Sequence, residues 1–289
     1  MDARKTIAKH RRDTAKALAN PNLDLRPQAM KIILKEVASG APHSCVGAAI
    51  GLDTLAIGAG RLGMVAVLEG RPEGWAELQR VLYYHHCRIE VHPSSLSIAD
   101  SAAVLLNSIA FGETEMSMRL AAIIREAHSD PRIFGWAENA LPGFGTRLWG
   151  LAVGREMMTV HPDTPREPVL ERIFSVWNDA DAFTEALAGL CDWHLRESLE
   201  SSGPYPAFLR PPYELLPIDV LAVVRVRELL GLPVVLPNHP LLDLPLAHPP
   251  RDWATFTDEP LELVRACNAR LPDPETDRYR RAIERETLR

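Results

Sequence analysis

The chain has no lysine after Lys35, no CxxC pair, no long uninterrupted apolar run and almost no strand pattern. Each absence removes a class of protein. A phosphate-binding P-loop needs a lysine behind a glycine-rich loop, and no lysine here follows one. Cys45, Cys87, Cys191 and Cys267 lie far apart, which fits free, mostly buried thiols in a reducing compartment rather than a disulfide framework or a zinc site. No apolar run reaches the roughly 18 residues of a membrane span. The opening MDARKTIAKHRRD lacks the apolar block that a signal peptide carries after its positive charges, so a cytoplasmic protein is expected. HExxH, ExxH and G-x-S-x-G are missing too, and acids are too numerous to single out a catalytic pair. The sequence therefore points to no catalytic set, no metal and no cofactor.

Three local patterns resemble chemistry and have plainer readings. Gly58-Ala59-Gly60-Arg61-Leu62-Gly63 spells G-x-G-x-x-G, but a dinucleotide site needs a strand before it and a helix after it. Its flanks, Leu55-Ala56-Ile57 and Met64-Val65-Ala66-Val67, continue one small-residue composition, which indicates close helix packing. In Tyr83 to His92 only His86 and Glu90 have metal-ligand spacing on a helix, and one packed and one solvated histidine at a helix end is the simpler account. Cys191 and His194 are three apart and could touch. Phe183, Leu187, Leu190 and His194 nevertheless fall on one stripe, which makes His194 a hydrogen-bonded core histidine.

What is present is helical. Arg4 to Asn20 and Pro27 to Ser39 form a basic N-terminal hairpin within residues 1–40. The Ala- and Gly-rich stretch Cys45 to Leu68 reads as a buried helix or helix pair, and Trp75 to Val91 as another. Ser97 to His128 is the clearest hairpin: Ile98, Ala102, Leu105 and Ile109 form one stripe and Met116, Leu120, Ile123 and Ile124 the other, each half burying one face. Shorter helices follow over Gly135 to Thr159 and Pro168 to Trp177. A longer one covers Asp181 to Leu199, with Asn178, Asp179 and Asp181 at its start, where negative charge suits the helix dipole. Pro217 to Leu230 is apolar nearly all round, with four charged positions, and reads as a buried core helix ended by Gly231. Asn238 to Pro250 is a proline-paced tail lying across neighbouring helices. Asp258 to Arg270 and Pro274 to Leu288 close the chain as charged helices. Strand signals are limited to Val234 to Leu236 and to Arg88 to Val91. The expected fold is all-α, an irregular stack of about ten to thirteen helices in antiparallel hairpins with one short extended segment near 234–236. It is read as a single helical domain over 1–289, with no tetratricopeptide or ankyrin period.

The net charge of −6 hides an asymmetry: residues 1–35 carry +6 and the remainder −12. An acidic body repels nucleic acid and favours a basic partner. The densest acidic region, Asp163 to Glu200, holds nine acids against three arginines. Solvated faces and helix-start acids account for part of it. The functional reading is a docking patch in which Glu167, Glu171, Asp179, Asp181 and Glu185 supply charge and Trp177 and Trp193 anchor the centre.

The run Leu216-Pro217-Ile218-Asp219-Val220-Leu221-Ala222, then Gly231-Leu232-Pro233-Val234-Val235, then His239-Pro240-Leu241-Leu242, resembles the C-terminal pattern of the immunity 49 family of bacterial polymorphic-toxin immunity proteins. The hairpin at Ser97 to His128 is similar in style. The resemblance covers about 150 residues, and its motif is one of packing. The basic N-terminal hairpin and the His239-Pro240 pair depart from it. It implies a helical, non-enzymatic protein that binds a cognate cytoplasm-acting toxin or secreted effector, the cargo of systems such as type VI secretion. Its partner would be a protein toxin with a basic surface, with no nucleic acid and no membrane involved. A helical scaffold or regulator for another partner, and a hydrolase reversing a toxin-made modification, are the alternatives.

Overall fold

The computed structural model describes residues 2–20, 25–39, 45–93, 97–128, 138–154, 162–200, 205–251, 256 and 274–287. These residues are all-helical, with eleven α-helices and no strand among them. In chain order the helices are α1 (Ala3–Leu18), α2 (Arg26–Ser39), α3 (Val46–Leu68), α4 (Gly74–Val91), α5 (Ile98–Phe111), α6 (Thr114–His128), α7 (Leu141–Ala152), α8 (Pro168–Ser175), α9 (Ala180–Glu197), α10 (Ile218–Leu229) and α11 (Pro274–Thr287). The helix expected over Asp258 to Arg270 lies outside the described residues. The chain divides into two compact units, one of residues 1–10 and 97–249, the other of 11–96 and 250–289.

The second of these units is built on α3, which packs against α2 on one side and α4 on the other. Both helices of the N-terminal hairpin form, but the partner of α2 is α3. Ala29, Ile33, Ala48, Leu52, Leu55, Ala59, Val81 and Tyr84 make its core. The G-x-G-x-x-G run sits inside the continuous 23-residue helix α3, where glycine serves contact. A Cβ on Gly63 would lie 2.8 Å from the Gly74 carbonyl oxygen and 2.9 Å from the Leu78 backbone nitrogen. Main chain therefore abuts main chain where α3 meets α4. Gly63→Ala should gain about 1 kcal/mol of helix propensity but lose more to overpacking, because backbone cannot swing aside as a side-chain tip can. A net destabilisation of about 1–2 kcal/mol is expected, read as a lower urea midpoint at unchanged m-value. A stabilised variant would contradict this packing account. By length and composition α3 could cross a membrane, yet more than half of its apolar window is buried inside the protein. Arg88 to Val91 is the last turn of α4, not a strand: Arg88 is buried there against Asp53 of α3, and helix packing overrides the local β-branched pattern.

In the other unit the most enclosed element is α5. The stripe Ile98, Ala102, Leu105 and Ile109 is buried as expected, but so is nearly every other residue of the helix, including Ser101, Asn107 and Ser108. A one-faced reading fails because α6, α7 and α10 surround α5. Ser108 is partnered by Ser117 of α6 at 2.8 Å and the Asn107 amide nitrogen by the Tyr213 hydroxyl at 3.2 Å, whereas the Ser101 hydroxyl and Asn107 Oδ1 have no hydrogen-bond partner among the described residues. Punctuation follows the sequence. Ser97 accepts the Asp100 N–H at 3.0 Å, and Gly112 ends α5 with φ +79°, a left-handed turn that costs glycine little. The helix α10 packs on α5, α7 and α9 and is buried from Ile218 to Val223. It emerges at its C-terminus, where Glu228, Leu229 and Leu230 are exposed. Beyond it Leu241, Leu242, Leu244 and Leu246 are buried, so the proline-paced tail does lie against the helices. Within this unit α1 contributes His10, whose Nε2 stands 2.8 Å from the Ser198 hydroxyl at the end of α9.

Candidate partner-binding surface

The acidic region folds into α8, α9 and the corner between them, and its members have different fates. Glu167 lies 3.3 Å from the Arg196 guanidinium, and Glu171 lies 2.6 Å from that of Arg147. Both are engaged in pairs at the surface, where such pairs contribute little stability. Asp179 caps α9 by accepting the Ala182 N–H at 3.0 Å and remains exposed. Asp181 and Glu185 are exposed as well. They stand four apart on one face of α9, without a salt-bridge partner among the described residues, and so present unneutralised negative charge to a partner.

The two tryptophans are core residues. Trp177 is buried between Phe174, at a centroid distance of 6.3 Å, and Phe183, at 5.8 Å. Trp193 is buried edge-on to Phe208 at 5.5 Å. The apolar centre of this surface comes instead from the chain that leaves α10. Leu229, Leu230, Val235 and Leu236 are exposed by 58, 43, 61 and 44%, four large apolar side chains close together in sequence, and exposed apolar surface of this kind marks interaction sites.

Sequence reasoning placed an extended segment here and found no role for it. Residues 232–239 are neither helix nor turn, and they pair with no strand. The Val235 carbonyl lies 3.3 Å from the Thr184 hydroxyl, whose single proton it shares with the Ala180 carbonyl of α9 at 3.0 Å, and His239 Nε2 lies 3.4 Å from Asp192. Thr184 and Asp192 are eight residues apart on α9, about 12 Å along the axis. Val235 and His239 are four residues apart, about 13 Å if extended. The segment is thus a strap drawn straight along α9. Its start is fixed by Arg227, which donates to the Pro233 carbonyl through Nε at 3.2 Å and through a terminal nitrogen at 2.8 Å, and to the Trp177 carbonyl. That guanidinium is buried against the Phe183 ring at 3.8 Å, and burial pushes its pKa down from the ordinary arginine range.

Behind the strap, α9 and α10 are joined by a pair that sequence reasoning half found. His194 is the expected core histidine, and its Nδ1 lies 2.8 Å from Asp219 Oδ1, both side chains fully buried. The His194 ring also stacks on Phe208 at 4.2 Å. Cys191, one turn earlier, is buried, and burial with Asp219 and Asp192 nearby pushes its thiol far up, which keeps it protonated and a poor nucleophile. Cys45 and Cys87 are likewise buried, and Cys267 lies outside the described residues. On α4, His85 is packed and His86 half-exposed, 3.9 Å from Glu90. Among the described residues no group of three or more metal-ligating side chains gathers.

The class defined by this arrangement is an all-helical protein with an ordered apolar strap beside an acidic helix face. No family model, curated protein or solved structure matches the chain.

Proposed function

We propose that the protein is an immunity protein, which binds a cognate cytoplasm-acting bacterial toxin or secreted effector and neutralises it by occluding its active site. The observation that carries this reading is the juxtaposition of Asp181 and Glu185 with the exposed strap at Val235, fixed by the Thr184 contact between them. An apolar centre beside unpaired carboxylates suits a cationic cleft: the charges speed encounter and exclude acidic partners, while the apolar groups supply affinity. The resemblance of residues 216–242 to the immunity 49 family supports the same reading.

The test is co-expression with the neighbouring reading frame, scoring growth rescue and co-purification together. Rescue with a stable complex is the expected result. Rescue without a complex would overturn binding in favour of enzymatic reversal of the damage. No rescue would overturn immunity and leave a scaffold or regulator of another partner. Asp181→Lys with Glu185→Lys, leaving the cap Asp179 in place, should lower the association rate about ten- to a hundredfold at low salt and less at high salt, since screening removes the same attraction. An association rate unchanged by this charge reversal would exclude α9 from the interface.

A further inference from the structure

Hydrogen bonds on the strap alternate in a way that specifies how a partner docks. Within an extended segment the N–H and C=O of one residue point to one side and those of the next residue to the other. The carbonyls of Pro233 and Val235 both point inward, to Arg227 and to Thr184. Val234 and Leu236 therefore turn their N–H and C=O groups outward, and among the described residues none of these four groups has a hydrogen-bond partner. Pro237 falls on the inward register with Pro233 and Val235, so its missing N–H takes nothing from the outward row. The result is a two-residue strand edge with four open backbone positions among described elements that are all helices.

We propose that Val234–Leu236 is a strand-addition site, which takes an extended, basic segment of the partner protein as a second strand. The proposal rests on the preceding reading that a cationic partner docks here, and it names the mode. Four main-chain hydrogen bonds would set register, the exposed side chains of Val235 and Leu236 would meet apolar residues of the incoming strand, and Asp181 and Glu185 would face its cations. The nearby cations are already committed: Arg225 pairs with Glu228 at 3.3 Å, Arg227 is buried, and His239 is turned to Asp192. This charge pattern selects the occupant. A second copy of the chain would bring the same carboxylates against these, and an anionic lipid surface would be repelled.

The experiment uses the full chain, isotopically labelled, titrated at low salt with an acetylated, amidated peptide of alternating lysine and valine, KVKVKVK. Backbone amide resonances of Val234 and Leu236 should shift more than that of Val235. A peptide of the same sequence with alternate residues N-methylated, which keeps charge and side chains but cannot pair, should bind at least tenfold more weakly. A glutamate counterpart, EVEVEVE, should not bind. Val234→Pro removes one outward donor at a half-buried position outside the helices and should weaken KVKVKVK about fivefold or more with the thermal midpoint retained. Equal binding of the N-methylated peptide, with shifts confined to Asp181 and Glu185, would overturn strand addition while leaving the cationic docking surface intact. Absence of any binding by KVKVKVK would remove the docking surface as well. Concentration-dependent dimerisation perturbing the same amides without peptide, or binding to anionic vesicles in place of the peptide, would give the edge a different occupant and overturn the proposal.

Discussion

Asp219→Ala should destabilise the unit containing α9 and α10 by about 3–5 kcal/mol, the range found when one partner of a buried pair is removed. The loss comes from what the substitution strands. Asp219 and His194 are fully buried and 2.8 Å apart, so without the carboxylate His194 Nδ1 faces apolar surroundings, and its Nε2 already has no hydrogen-bond partner among the described residues. Helix geometry adds to the loss. Asp219 stands in the first turn of α10 and His194 in the last turn of α9, the ends where negative and positive groups respectively interact well with the helix dipole. Asp219→Asn keeps the shape and an acceptor and should cost about half as much, because an uncharged bond is the weaker one. The double variant His194→Phe with Asp219→Leu should recover much of the loss, since replacing both partners of a buried pair by apolar groups approaches neutrality. The check is a double-mutant cycle by urea denaturation, in which a coupling of about 2 kcal/mol or more is expected. Additive single losses would mean that the two side chains are merely adjacent.

How far this was readable from sequence depends on the kind of signal. Helix limits were legible because their punctuation is local: Asp179 at the start of α9, Pro168 opening α8 and Gly231, with φ +68°, just past the end of α10. The glycine run of α3 was legible as packing because its flanks keep a helical composition. Enclosure was not legible, since the number of faces a helix buries depends on what surrounds it. Thus α5 is covered all round where its pattern promised one stripe, and Trp177 and Trp193, read as anchors, are core residues. Of the four charges of α10, Asp219 and Arg227 are buried. A helix with no solvated face already implies that some of its charges must find partners inside. The stripe of α9 supplied His194 as a candidate, but nothing in the chain links positions 194 and 219 before they fold together. The docking surface was half legible. Its carboxylates stand out by density, whereas Leu229 and Leu230 read as part of a buried helix and Val235 and Leu236 as a short extended segment, with nothing in either pattern to mark them as exposed.

Arg227→Ala should cost about 3–4 kcal/mol and release the strap, a combination that separates it from an ordinary core truncation. The guanidinium is enclosed, with no carboxylate beside it among the described residues. Its charge is met by two backbone carbonyls, of Trp177 and Pro233, and by the faces of Phe183 and Trp177 at 3.8 and 5.5 Å. Arginine is suited to this because its planar fork can serve two acceptors while stacking on a ring, and its charge disperses over three nitrogens. Lysine offers a compact ammonium that reaches one acceptor and is costlier to desolvate, so Arg227→Lys should lose about 2 kcal/mol despite keeping the charge. Arg227→Met keeps the volume but leaves two carbonyls unmet, and should fall between lysine and alanine. What joins these losses to function is the Pro233 carbonyl. Arg227 is the link between the start of the strap and the corner where α8 meets α9, so its removal frees residues 232–236 at one end while Thr184 still holds Val235. Limited proteolysis should then cut between Leu229 and Leu236 at least tenfold faster in Arg227→Lys than in the parent chain, under conditions where both remain folded by circular dichroism. KVKVKVK should bind that variant more weakly, because an edge that must first be ordered binds with lower affinity than one already straight. Faster cleavage with unchanged peptide affinity would mean that Thr184 alone orders the edge.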